Sequence, residues 1–220
     1  MARPCLSAAL LAACCSLPSF ASAQQACSDY GAELATMVSA DQALRMRVDF
    51  LDQGNPAQVK LAEQIMLVDR TNTERLKALI ARCGWPTKAA HGEQAPEDAW
   101  LLAQHADRDL AFQKQVLVLI EEAAAASGEG INKSFAYLYD RVAAAEQRPQ
   151  RYGTQLFSPS GKACDLAFKP LDDRQKVEER RAQLGLPSLE GYLRIVKELQ
   201  HCNGDPHYPQ PIADDEIKRK

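Results

Sequence analysis

Residues 99–109, AWLLAQHADRD, gather one imidazole, two carboxylates and one guanidinium into a span of five side chains, His105 to Asp109. Imidazole titrates near neutral pH, and a neighbouring carboxylate can fix its tautomer, so His105 with Asp107 has the composition of a general acid or base and its orienting partner. Read as one continuous helix, the segment puts Leu101, His105, Arg108, Phe112, Val116 and Leu119 on a single face. On that reading Asp109 lies within reach of His105 at i+4, and Arg108 at i+3 opposes it. The plainer alternative is a core histidine whose second nitrogen bonds a carbonyl or a carboxylate.

Three other stretches carry polar side chains where packing asks for few. YLYDRV, 137–142, places Tyr137 and Arg141 on one helix face with Asp140 beside them. This is either an Asp–Arg pair bracing neighbouring helices or a guanidinium presented to an anionic ligand. QRYGTQ, 150–155, surrounds Gly153 with Tyr152, Thr154 and Gln155, which suits a binding loop or the entry to a hairpin. EERR, 178–181, is mostly a solvated face, from which only Arg180 or Arg181 can point inward. The resulting candidate site has His105 and Asp107 as catalytic residues. Gln104, Asp140, Arg141, Tyr152, Gln155 and Arg181 are its substrate-binding residues.

Other chemistries find little support. G-x-S-x-G, H-E-x-x-H and a phosphate-binding glycine loop are missing from the sequence. The pairs His91/His105 and His201/His207 are not at helical metal spacing, so no metal and no other cofactor is expected. With a formal charge of −3, a pI near 5.8 and no dense basic run, nucleic acid is excluded as the natural partner.

The elements that must position these residues follow from the pattern. MARPCLSAALLAACCSLPSFASAQQ opens with one cation and a short apolar run and ends in Ala21-Ser22-Ala23, the order of a secretory signal cleaved after Ala23. The competing reading is LAAC, Leu11–Cys14, as a lipid-attachment signal with an anchor on Cys14. No stretch is long and apolar enough to span a membrane. A periplasmic or secreted protein is expected, whose partner is an unknown small polar ligand or an envelope protein. Cys5, Cys14 and Cys15 leave with the signal; Cys27, Cys83, Cys164 and Cys202 remain, and four cysteines in an exported chain favour two disulfides.

An apolar stripe from Ser28 to about Asp52 (Leu34, Met37, Val38, Leu44, Val48, Leu51) is followed by the turn QGNP. A second stripe from Pro56 to Arg82 (Val59, Ile65, Met66, Leu76, Leu79, Ile80) closes at CGWP. An antiparallel pair of helices brings the start of the first beside the end of the second, which selects Cys27–Cys83 and leaves Cys164–Cys202. A third helix is expected from about Pro96 to Ala126 and a fourth over 133–147. A small β-hairpin is expected over Thr154–Ser158 and Cys164–Phe168. A helix opened by Asp172 and Gln175 follows, and then a last one capped by Ser188. The fold class is mainly α: a bundle of about six helices with a small hairpin near 154–168. It forms one domain over 24–205, after the signal at 1–23 and before a flexible tail at 206–220.

Taken in order, GWP, Gly92, AWLLAQHAD, AYLYDRV, QRYGTQ and DDRQKVEERRAQLGL resemble an uncharacterised bacterial family known only as a domain of unknown function, over about residues 35–195. The family pattern falls on Trp85, Pro86, Gly92, Gln104, His105, Asp107, Asp140, Arg141, Tyr152, Gly153, Thr154, Gln155 and Arg181. The resemblance implies kinship and candidate positions but carries no activity with it. Two functional readings stand at this point. One is a polar pocket with hydrolase or transferase chemistry on a small polar or anionic substrate. The other is a non-catalytic periplasmic binding or scaffold protein whose His/Asp/Arg/Gln cluster is a structural network.

Overall fold

The computed structural model describes residues 27–52 and 54–202. The expected signal peptide, the lipid-anchor alternative at Cys14, His207 and the tail from 206 lie outside the described residues.

Eight helical segments and one two-stranded sheet make up the described chain: α1 (Tyr30–Arg45), α2 (Pro56–Cys83), α3 (Lys88–His91), α4 (Ala95–Gln104), α5 (Leu110–Ser127), α6 (Lys133–Ala145), β1 (Leu156–Phe157), β2 (Ala167–Phe168), α7 (Arg174–Gln183) and α8 (Leu189–Leu199). The mainly helical class holds, with more segments than the six expected. The helix expected over 96–126 is two. It breaks at His105–Asp109, so His105 caps the end of α4 and does not sit mid-helix, and the single face drawn through Leu101, His105 and Arg108 does not exist. The break needs no Gly or Pro. Asp109 caps α5 by accepting from the Phe112 N–H at 3.0 Å, and buried Gln113 donates its side-chain amide to the carbonyls of Ala103 and Gln104, 3.2 Å each. A side chain that satisfies the orphan donors or acceptors of a helix end stabilises a corner as well as a breaker residue does.

The other ends are local chemistry. Asn55 caps α2 with Pro56 in the first turn, and Gly84 closes it at φ +76°. Ser188 caps α8 by accepting from the Gly191 N–H at 3.1 Å. Two bounds move. α1 ends at Arg45, short of Asp52. The cap of α7 is Asp173 rather than Asp172, because Asp172 is drawn to Arg180 at 2.8 Å.

The core joins α1, α2, α4, α5 and α6 through Leu34, Met37, Leu76, Leu102, Val116 and Leu138. Of the apolar residues expected on the inner face of α2, Val59 and Met66 are exposed. The α1–α2 pairing places Cys27 against Cys83 with 5.8 Å between α-carbons, at disulfide distance. Cys164 and Cys202 stand 5.6 Å apart and tie the hairpin loop to the end of α8. The hairpin is shorter than expected, pairing Leu156 with Phe168 and Phe157 with Ala167. So short a sheet cannot hold itself together in water, and it depends on that covalent tie and on the loop before it.

Candidate functional site

The α4–α5 corner lies where α4 packs on α1, α2 and α6. Its central pair was not foreseen. The His105 imidazole meets Asp41 of α1, with Nδ1 3.2 Å from one carboxylate oxygen and 3.1 Å from the other. An ionised carboxylate only accepts, so Nδ1 carries the proton and donates it, and in the neutral ring the lone pair is then on Nε2. Nε2 makes no hydrogen bond to a described residue, and the imidazole is 12% exposed. Asp41 itself is buried. Burial pushes its carboxyl up, but the bond from His105, the nearby Arg45 and the Gln42 amide outweigh this and hold it at about 2.

Arg45 bridges two carboxylates, donating to Asp41 at 3.0 Å and to Asp69 of α2. Burial drives the Asp69 carboxyl up, and Arg45 only partly offsets it. One oxygen each from Asp41 and Asp69 and one nitrogen from His105 lie within 4.8 Å of one another, a ligand set of the kind a divalent cation takes. The guanidinium of Arg45 already satisfies both carboxylates, and a cation would have to displace it.

From α6, Arg141 grips Asp107 with a two-pronged fork, Nε at 2.6 Å and Nη2 at 2.9 Å, and extends Nη1 to the Gln155 side chain at 3.3 Å. Partial desolvation raises the Asp107 carboxyl, exposed though its side chain is, while the Arg141 fork and the Gln113 amide outweigh this and hold it below the ordinary range. Gln104, adjacent to His105 in sequence, has a buried side-chain carbonyl oxygen with no donor among the described residues. Asp109 is directed to α5 and to Lys77 at 3.0 Å, not to His105.

Asp140, Tyr152 and Arg181 stand behind this corner. Both Asp140 oxygens are turned to the 151–154 loop, accepting from the backbone N–H groups of Arg151 (2.8 Å), Tyr152 (3.2 Å) and Thr154 (2.9 Å) and from the Thr154 hydroxyl. Burial pushes the Asp140 carboxyl up against these donors. Arg181, 1% exposed, donates to the carbonyls of Tyr152, Gly153 and Pro187 from below. Gly153 has φ +64°, and a Cβ there would stand 2.4 Å from a Leu189 methyl, so only glycine fits. Gln150, also buried, accepts from the Gln155 N–H at 2.7 Å and donates to the carbonyls of Gln155 and Lys169. The loop thus carries Gln155 to Arg141, while its own motif residues face inward.

This corner and loop hold the greater part of the sequence pattern noted above, and the model of a family of unknown function, DUF6624, matches residues 28–202. The chain belongs to the DUF6624 family. No curated protein and no solved structure matches it. The family match brings no activity, so the chemistry has to be read from the residues.

Sequence reasoning missed Asp41, Arg45, Asp69, Gln113 and Gln150. A signal was present for two of them. Asp41 follows Leu34 and Met37 on the buried face of α1, and Asp69 precedes the buried run Asn72, Thr73, Leu76 on α2. A carboxylate on an apolar stripe calls for a partner on another element.

Proposed function

We propose that the α4–α5 corner is an acid–base site of hydrolase or transferase type, acting on a small polar substrate. The observation that carries this reading is the Asp41–His105 pair, which is held at 3.1 Å, with the carboxylate buried and Nε2 unengaged. A carboxylate fixing Nδ1–H orients the ring and stabilises the imidazolium that forms when Nε2 takes a proton from water or a hydroxyl nucleophile. Asp107, Arg141 and Gln155 then form the polar wall that positions substrate. Three carboxylates (Asp41, Asp69, Asp107) against two guanidiniums (Arg45, Arg141) favour a neutral polar substrate over a strongly anionic one. Asp140, Tyr152 and Arg181 serve the site by fixing the loop.

The second reading is a non-catalytic scaffold. It draws on the Arg141 fork being fully occupied by Asp107 and on Arg45 being shared by two carboxylates. Two cysteine pairs at disulfide distance and the signal-like leader support placement outside the cytoplasm.

The test is a panel of chromogenic carboxylic esters, phosphate esters and glycosides, run on the native protein and on His105→Gln, with nitrogen NMR of the His105 ring. Native protein should show the Nδ1–H tautomer and turn over one substrate class, and His105→Gln should lose about 100-fold or more of that rate while melting as a folded protein. No turnover of any class, or a His105→Gln variant as active as native, decides for the scaffold.

A further inference from the structure

The GWP motif takes no part in the acid–base corner. Trp85 and Pro86 instead line a separate cleft of about 300 Å³, walled by α3, α4, the end of α5 and the start of α6. That volume is at the lower end of the range for small-ligand sites. The sequence contains two tryptophans, and both line this cleft, Trp85 from the loop after α2 and Trp100 from α4. Pro86, Pro96, Ile120 and Ala124 complete an apolar wall.

Into this wall is set one carboxylate. Glu97, half-buried, accepts from the Ser134 hydroxyl at 2.6 Å and from the Asn132 amide at 3.3 Å. Both donors are neutral, and Glu97 has no ion-pair partner among the described residues. Glu97 lies in the first turn of α4 and its partner Ser134 in the first turn of α6, and helix N-termini favour an anion. Glu129 adds a second carboxylate to the lining, against a single cation, Lys88. A fixed carboxylate without an ion-pair partner among the described residues, in a cleft lined by two indoles, is a chemistry that selects positive charge on an apolar body: the ring quadrupoles attract a cation, tryptophan most strongly, and the carboxylate neutralises it.

We propose that this cleft binds an organic cation, an amine or quaternary ammonium group on a small apolar body. The site is distinct from the acid–base corner and does not depend on it.

Because both tryptophans line the cleft, intrinsic fluorescence reports on it directly. Full-length protein is titrated with choline, with its neutral isostere 3,3-dimethylbutan-1-ol, and with acetate as an anion control, alongside calorimetry. A saturable change in tryptophan emission with choline is expected, with the neutral isostere roughly tenfold weaker and acetate silent. Glu97→Gln keeps an acceptor for Ser134 and should weaken choline by about tenfold, with a melting temperature close to native. Trp85→Phe should weaken it less, since phenylalanine is a poorer cation–π face. If Glu97→Gln does not fold, the comparison of choline with its isostere in the native protein decides alone. Absence of a saturable response to choline, equal binding of the isostere, or unchanged choline affinity in folded Glu97→Gln overturns the proposal. His105→Gln should bind choline as native protein does, which separates a failure here from a failure of the corner.

Discussion

Asp140 and Arg141 are neighbours in the chain, yet they belong to two unlike polar regions. Asp140 is fully buried and spends both oxygens on backbone N–H groups of the 151–154 loop, while Arg181 takes the carbonyls of the same loop. Arg141 is 27% exposed and pairs with Asp107, whose side chain is 57% exposed. The first region is closed, charge against backbone, and its work is to define a conformation. The second is side chain against side chain at a partly exposed surface, and on the function proposed above that is where a ligand takes a partner's place. The expected Asp–Arg brace within YLYDRV is therefore two separate interactions. What sorts a polar cluster into fold or site is the identity and exposure of its partners, since an unmade buried bond costs much and an exposed ion pair is worth little.

Three substitutions break or sharpen that contrast, in descending order of effect. Asp140→Asn puts an amide N–H₂ where backbone N–H groups already point, and should cost about 3 kcal/mol by chemical denaturation. A loss below about 1 kcal/mol would mean the loop is not held this way. Asp41→Asn should cost roughly 2 kcal/mol at neutral pH, with a pH signature. The carboxyl is lowered from 3.8 to about 2 in the folded protein, so its stabilisation is present above the unfolded value and disappears as pH falls through about 2. The gap between native and variant melting temperatures should therefore close on acidification through that window, and a constant gap would refute the assignment. Arg141→Lys replaces a two-pronged fork at a partly exposed site and should cost less than about 1 kcal/mol of stability. It should still reduce any His105-dependent turnover, and a large stability loss would move Arg141 into the closed region.

The legible parts were those whose causes are near in sequence. The α1–α2 pairing and the cysteine partners followed from two stripes and the turn between them, and the Ser188 cap and the hairpin's location from a few adjacent residues. The break at His105–Asp109 was not legible, because apolar spacing runs through it and the bond that secures it comes from the side chain of Gln113, one turn into the next helix. His105 meets neither carboxylate of its own segment: Asp107, its expected orienting partner, is held by Arg141, and Asp109 faces Lys77, whereas Asp41, which it does meet, is 64 residues away.

By itself the sequence determined a mainly helical chain, its cysteine pairing and a set of polar residues too costly to bury without reason. Only the tertiary structure decided which of them meet. Periodicity, caps and turns arise from contacts within a few residues and can be read along the chain. The partner of a buried charge is chosen by which helices pack together, and that is settled by the burial of the whole apolar core, to which the charge itself contributes nothing favourable until its partner arrives.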